Sequence, residues 1–111
     1  MPSNDVRSSL RAIFGDVAPK LAELTETVVF GDLWERNGLS KRDRSLVTLS
    51  ALIALNQLEF LPAYLGRALD NGVTRAELDE IVTHLSVYAG FPGAISAARV
   101  INQVLQERGA S

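Results

Sequence analysis

The ten residues "LVTLSALIAL", Leu46 to Leu55, constrain this chain more than any other stretch. Almost every position is apolar, so a helix there has no side assigned to water, and a helix apolar all round needs cover all round. The chain has 111 residues, of which 47% are hydrophobic. A domain of that size keeps a large surface fraction and cannot bury so much apolar area in a private core. The organisation this implies is one domain over residues 1–111, with the surplus covered by further copies of the chain. The run is also far shorter than the roughly 18–20 residues of a membrane span. The opening "MPSNDVRSS" lacks the apolar region of a secretory leader. A cytoplasmic protein with no membrane partner is expected. A net charge of −2 supplies no overall attraction for nucleic acid.

The rest of the chain also reads as helix, without sustained period-two alternation, so an all-α domain of about five to six helices is expected. A first segment should run from about Val17 to Arg36, with Pro19 tolerated in its first turn. Its inner stripe would be Leu21, Leu24, Val28, Phe30 and Leu33, with Gly31 bending or dividing it. Ser40, followed by Asp43, resembles a capping box and opens a helix that ends near Asn56. The next helix covers about Leu61 to Leu69, with Pro62 near its start and Gly72 as a left-handed cap. Thr74 and Glu77 form a well-spaced capping box. They open a helix whose apolar stripe is Leu78, Ile81, Val82, Leu85 and then Tyr88 or Ala89. "GFPG" makes a turn before a last helix from about Ala94 to Gln106.

The absence of cysteine removes disulfides, zinc–thiolate sites and thiol redox chemistry together. One histidine, His84, is too few for a histidine-rich centre within one chain, and no metal is expected. His84 lies at the edge of a helical stripe, with Glu80 one turn earlier as an i,i+4 partner. It reads either as a partly buried structural imidazole or as a proton donor at a site. Arg36, Lys41, Arg42 and Arg44 gather four of the eleven cations into "RNGLSKRDR". Three of them stand in the first turn of a helix, where the macrodipole disfavours positive charge. That stretch is either a solvated surface with Asp43 as partner or a carboxylate site. Arg44, next to the apolar run, is best placed to project inward. Trp34, Tyr64 and Tyr88 either anchor a core or line a pocket. Ser45, in "DRSLV", has no nucleophile elbow around it and gives no support to a serine hydrolase.

Three blocks, "GDLWERNGLSKRDRSLVTLSALIAL", "LPAYLGRALDNGVTRAEL" and "VTHLSVYAGFPGAISA", together resemble the carboxymuconolactone decarboxylase family over roughly residues 28–106. The resemblance implies an AhpD-like helical fold that assembles as a homotrimer or homohexamer, with active sites near subunit contacts. The peroxidase branch of that superfamily uses a Cys-x-x-Cys pair, and here the corresponding stretch reads "NQLEFLPAY". The resemblance is therefore to the cysteine-free, cofactor-independent branch. It implies a carboxy-lyase acting on a small anionic lactone or related carboxylic acid, in the catabolism of aromatic compounds. His84 matches the histidine of the family's third block. Phe91 stands where that block carries tryptophan, and Tyr64 where the second block carries histidine. Carried over, His84 and Tyr64 become the catalytic pair, His84 as general acid and Tyr64 as oxyanion donor or substrate-shape residue, with a substrate that differs from the classical lactone. Arg44, Trp34 and Tyr88 become substrate-binding residues, with Arg44 clamping a carboxylate. A non-catalytic, oligomeric ligand-binding member of the family is the alternative.

Overall fold

Short polar side chains set the starts of two helices in this chain, at Ser40 and at Thr74. The structure, a computed structural model, describes residues 6–109, so the first five residues of the "MPSNDVRSS" stretch lie outside it. Its elements are α1 (Val6–Phe14), α2 (Pro19–Leu24) continuing into a π-helical segment (Thr25–Phe30), a 3-10 turn (Leu33–Glu35), α3 (Lys41–Ala54), α4 (Leu61–Asp70), α5 (Arg75–Tyr88) and α6 (Phe91–Glu107). No strand occurs among the described residues, and none of the helices is long and apolar enough to cross a membrane.

Ahead of α3, the extended Ser40 accepts a hydrogen bond from the Asp43 N–H at 3.0 Å. Ahead of α5 the box is reciprocal. The Glu77 N–H donates to Thr74 Oγ1 at 3.1 Å and the Thr74 N–H donates to Glu77 Oε1 at 2.9 Å. Between them, α4 ends in "DNG", with Gly72 at φ 100°. The Asn71 amide of that turn donates to Ser45 Oγ at 3.1 Å, and Ser45 Oγ donates to the Lys41 carbonyl at 2.9 Å. Ser45 is thus a buried latch between the start of α3 and the end of α4, satisfied on both sides.

The core has two parts. Leu49 and Ile53 of α3, Leu61 and Leu65 of α4, Leu78 of α5 and Ile101 of α6 belong to the larger. Val6 and Leu10 of α1 pack with Phe30 and Trp34 in the smaller, and Tyr64 of α4 touches both.

Several elements differ from the periodicity. α1 is an additional helix; its Val6, Leu10 and Phe14, spaced by four, are the signal for it. The first expected segment is cut in two. The Thr25 and Thr27 hydroxyls donate back to the carbonyls of Leu21 (2.9 Å) and Glu23 (3.0 Å), which loosens the α ladder there. A π turn closes on i+5, so its extra residue makes the 3.6-residue spacing slip. Leu21, Leu24, Val28 and Leu33 therefore face outward, and Phe30 alone of the expected stripe is buried. Gly31 does divide the segment: a Cβ there would meet the Glu26 carbonyl oxygen at 2.7 Å. At the other end α6 starts at Phe91, because Pro92 suits a first helical turn and only Gly90, at φ 114°, takes the turn conformation. α3 is buried on one side only. Val47 and Leu55 are 59% and 69% exposed, so within one chain the run is not covered all round.

The Glu77 carboxyl is held below its ordinary pKa, first by the Thr74 N–H; burial opposes this, and Arg42, with which it forms an ion pair, adds to it. A depressed carboxylate contributes stability that is present above its unfolded value and lost as pH falls through the folded one. Thr74→Ala is expected to cost about 1 kcal/mol in urea unfolding at neutral pH, and Glu77→Gln to flatten the loss of stability in acid.

Candidate functional site

The first turn of α3 separates its cations by what they bind. Lys41 Nζ pairs with Glu35 at 3.1 Å, and Arg42 pairs with Asp43 at 3.3 Å and with Glu77. Arg44 has no carboxylate partner among the described residues. Its Nη2 donates to the Arg36 carbonyl at 3.3 Å, and its buried Nε finds no acceptor among the described residues. The side chain lines a cavity of about 130 Å³ whose other walls are Leu33, Trp34, Leu39, Val47 and Thr48. A partly buried guanidinium against apolar walls, with a donor unsatisfied, is a place where a carboxylate oxygen is stabilised.

Trp34 is 4% exposed. Its ring stacks with Phe30 at 6.4 Å between centroids, and the Arg67 guanidinium lies 4.5 Å from its centroid. Tyr64 stands one turn before Arg67 on α4, half-buried between the two parts of the core. Burial pushes its hydroxyl above the ordinary value of 10.0, against the opposing charge of Arg67. At neutral pH Tyr64 is therefore a hydrogen-bond donor and not a base.

His84 lies elsewhere. It is exposed on α5 and stacks on Tyr88, ring centroids 4.7 Å apart and planes 24° apart. It lines an open cleft of about 310 Å³ with Ser50, Glu80, Ile81 and Leu85. Tyr88 is 77% exposed, so the apolar stripe of α5 ends at Leu85.

Five residues singled out in the sequence thus fall into groups. Arg44 and Trp34 share a cavity; His84 and Tyr88 share a surface; Tyr64 sits with the Trp34 cluster and lines neither cavity. α3 connects the two places, since Arg44 and Ser50 are roughly 9 Å apart along its axis and about a third of a turn around it. Arg67 is the residue that sequence reasoning passed over; its i,i+3 relation to Tyr64 is the signal that points to it. Among the described residues no group of three or more His, Cys, Asp or Glu is placed to hold a metal ion.

The family model described as "Carboxymuconolactone decarboxylase family" matches residues 19–103. The chain belongs to this family. It is 39% identical over 80 residues to a 4-carboxymuconolactone decarboxylase of Acinetobacter baylyi, covering 72% of this chain and 60% of that protein. It is 35% identical over 85 residues to a nitrosuccinic acid decarboxylase of Metarhizium robertsii, covering 77% of this chain and 59% of that protein. The matched stretch thus spans about three fifths of the length of each curated relative. All five site candidates lie inside the carboxymuconolactone decarboxylase match, whereas α1, which packs against Trp34, precedes it.

A phenol whose pKa is raised by folding contributes stability that is fully present below its unfolded value and lost as pH rises through the folded one. Tyr64→Phe is expected to flatten the fall in urea-unfolding stability as pH rises above about 10.

Proposed function

We propose that this chain is a cofactor-independent carboxy-lyase that decarboxylates a small anionic lactone or a related carboxylic acid. The observation that carries the reading is Arg44, a guanidinium with no carboxylate partner among the described residues, lining a small apolar-walled cavity. Family membership and two relatives named as decarboxylases support it, and nothing in those names favours a non-catalytic ligand-binding role.

In the proposed reaction Arg44 holds a substrate carboxylate while Trp34 shapes the cavity beside it. The bond between the departing carboxylate carbon and its neighbour breaks, carbon dioxide leaves, and the electron pair passes into an adjacent acceptor such as a lactone carbonyl. Tyr64, which lines neither cavity within one chain, is assigned the oxyanion that forms, or the shape of the substrate pocket, by its place in the second sequence block. His84 returns a proton to carbon as general acid, and Tyr88 supports its ring and contacts substrate.

Two cavities on different sides of α3 do not make one active site within a single chain. We infer that the site closes between copies in a homotrimer or homohexamer. Exposed apolar side chains support this: Val47 on α3 and Leu55 just after it, Val87 and Tyr88 at the end of α5, Phe91 and Ile95 at the start of α6. A cytoplasmic setting and a role in breaking down aromatic compounds complete the proposal.

The test is consumption of 4-carboxymuconolactone and of nitrosuccinate, followed by absorbance. Arg44→Gln is expected to raise KM by about tenfold or more, the scale of a lost charged hydrogen bond, and His84→Ala to abolish turnover. Binding of both acids with consumption of neither would overturn the lyase reading. Light scattering tests the assembly: Phe91→Asp is expected to convert an oligomer to monomer and to abolish turnover with it.

A further inference from the structure

Trp34 sits on a three-residue 3-10 turn between Asp32 and an extended Arg36. Turns of that kind have poor hydrogen-bond geometry, and its neighbours Leu33 and Glu35 are exposed. The turn alone does not hold an indole in one orientation, yet the indole is buried and forms a wall of the Arg44 cavity. The restraint comes from α4. The Arg67 guanidinium lies 4.5 Å from the Trp34 centroid and 5.0 Å from that of Phe30, and the two rings stack with 25° between their planes. A cation over an aromatic face is attracted by the ring quadrupole, more strongly where water is excluded. The flat guanidinium suits this stacking as a lysine ammonium does not. Arg67 does not line the cavity, so its effect on a ligand there passes through the indole.

We propose that Arg67 is a positioning residue which, by stacking on Trp34, sets the indole as the wall that decides which small carboxylates fit beside Arg44. This rests on the reading of Arg44 as the carboxylate site.

The chain has one tryptophan, so intrinsic fluorescence and its quenching by acrylamide report on Trp34 alone. The measurement compares the full chain with Arg67→Met and Arg67→Lys, first without ligand. It then takes KM and kcat for 4-carboxymuconolactone or nitrosuccinate, whichever the unaltered protein consumes. In Arg67→Met the quenching constant is expected to rise about threefold and KM about tenfold, with kcat within about threefold; Arg67→Lys should fall between. An unchanged quenching constant in both variants overturns the proposal, and so does a raised quenching constant with unchanged KM. If Arg67→Met does not fold, judged by circular dichroism, Arg67→Lys decides by the same criteria. If the unaltered protein consumes neither acid, the Kd of the acid it binds takes the place of KM; if it binds neither, the reading of Arg44 has failed, and ligand-free quenching still decides whether Arg67 holds Trp34.

Discussion

α3 has more apolar surface than one chain can cover, and the rest of the structure is arranged around that fact. Its inner side, with Leu49 and Ile53, packs against α4, α5 and α6 to make the larger core. Its polar start is tied down by the Ser40 cap and by the Ser45–Asn71 latch, which fixes how α4 leaves the core. Its remaining sides carry the two candidate cavities, one around Arg44 and one shared with His84.

The same helix sorts charge. Positive side chains at a helix N-terminus oppose the macrodipole, and most of those here are compensated by carboxylates: Glu35 for Lys41, Asp43 and Glu77 for Arg42. Arg44, a residue further in, has a carbonyl and a cavity. A guanidinium keeps its charge at any working pH, so an anion is the natural complement. The aromatic cluster beside it is built the same way, with Arg67 and Arg7 over π faces.

Much of the fold was legible from local signals. Thr74 and Glu77 announce α5 because a capping box needs only four neighbouring residues. Gly72 and Gly90 mark turns because a positive φ favours glycine. The π-helical segment was not legible: its register depends on hydroxyls folding back onto carbonyls, and periodicity assumes a regular ladder. Of the site, Arg44 and Trp34 were named for separate reasons and proved to line one cavity, while His84 and Tyr88 proved to stack. Tyr64 carried a family position in its sequence block, but its place between two core clusters follows from where α1 and α4 lie.

What the sequence by itself determined is the all-helical class, the starts and stops of α3 to α5, and the absence of thiol chemistry. These follow from spacing, caps and composition, which act over a few residues. Tertiary structure alone decided which cation in the first turn of α3 has no carboxylate among the described residues, which aromatic is buried and which exposed, and that Arg67 lies on Trp34. Each of those is settled by packing between residues distant in the chain, where one element's register sets the neighbours of another, and no local pattern encodes that.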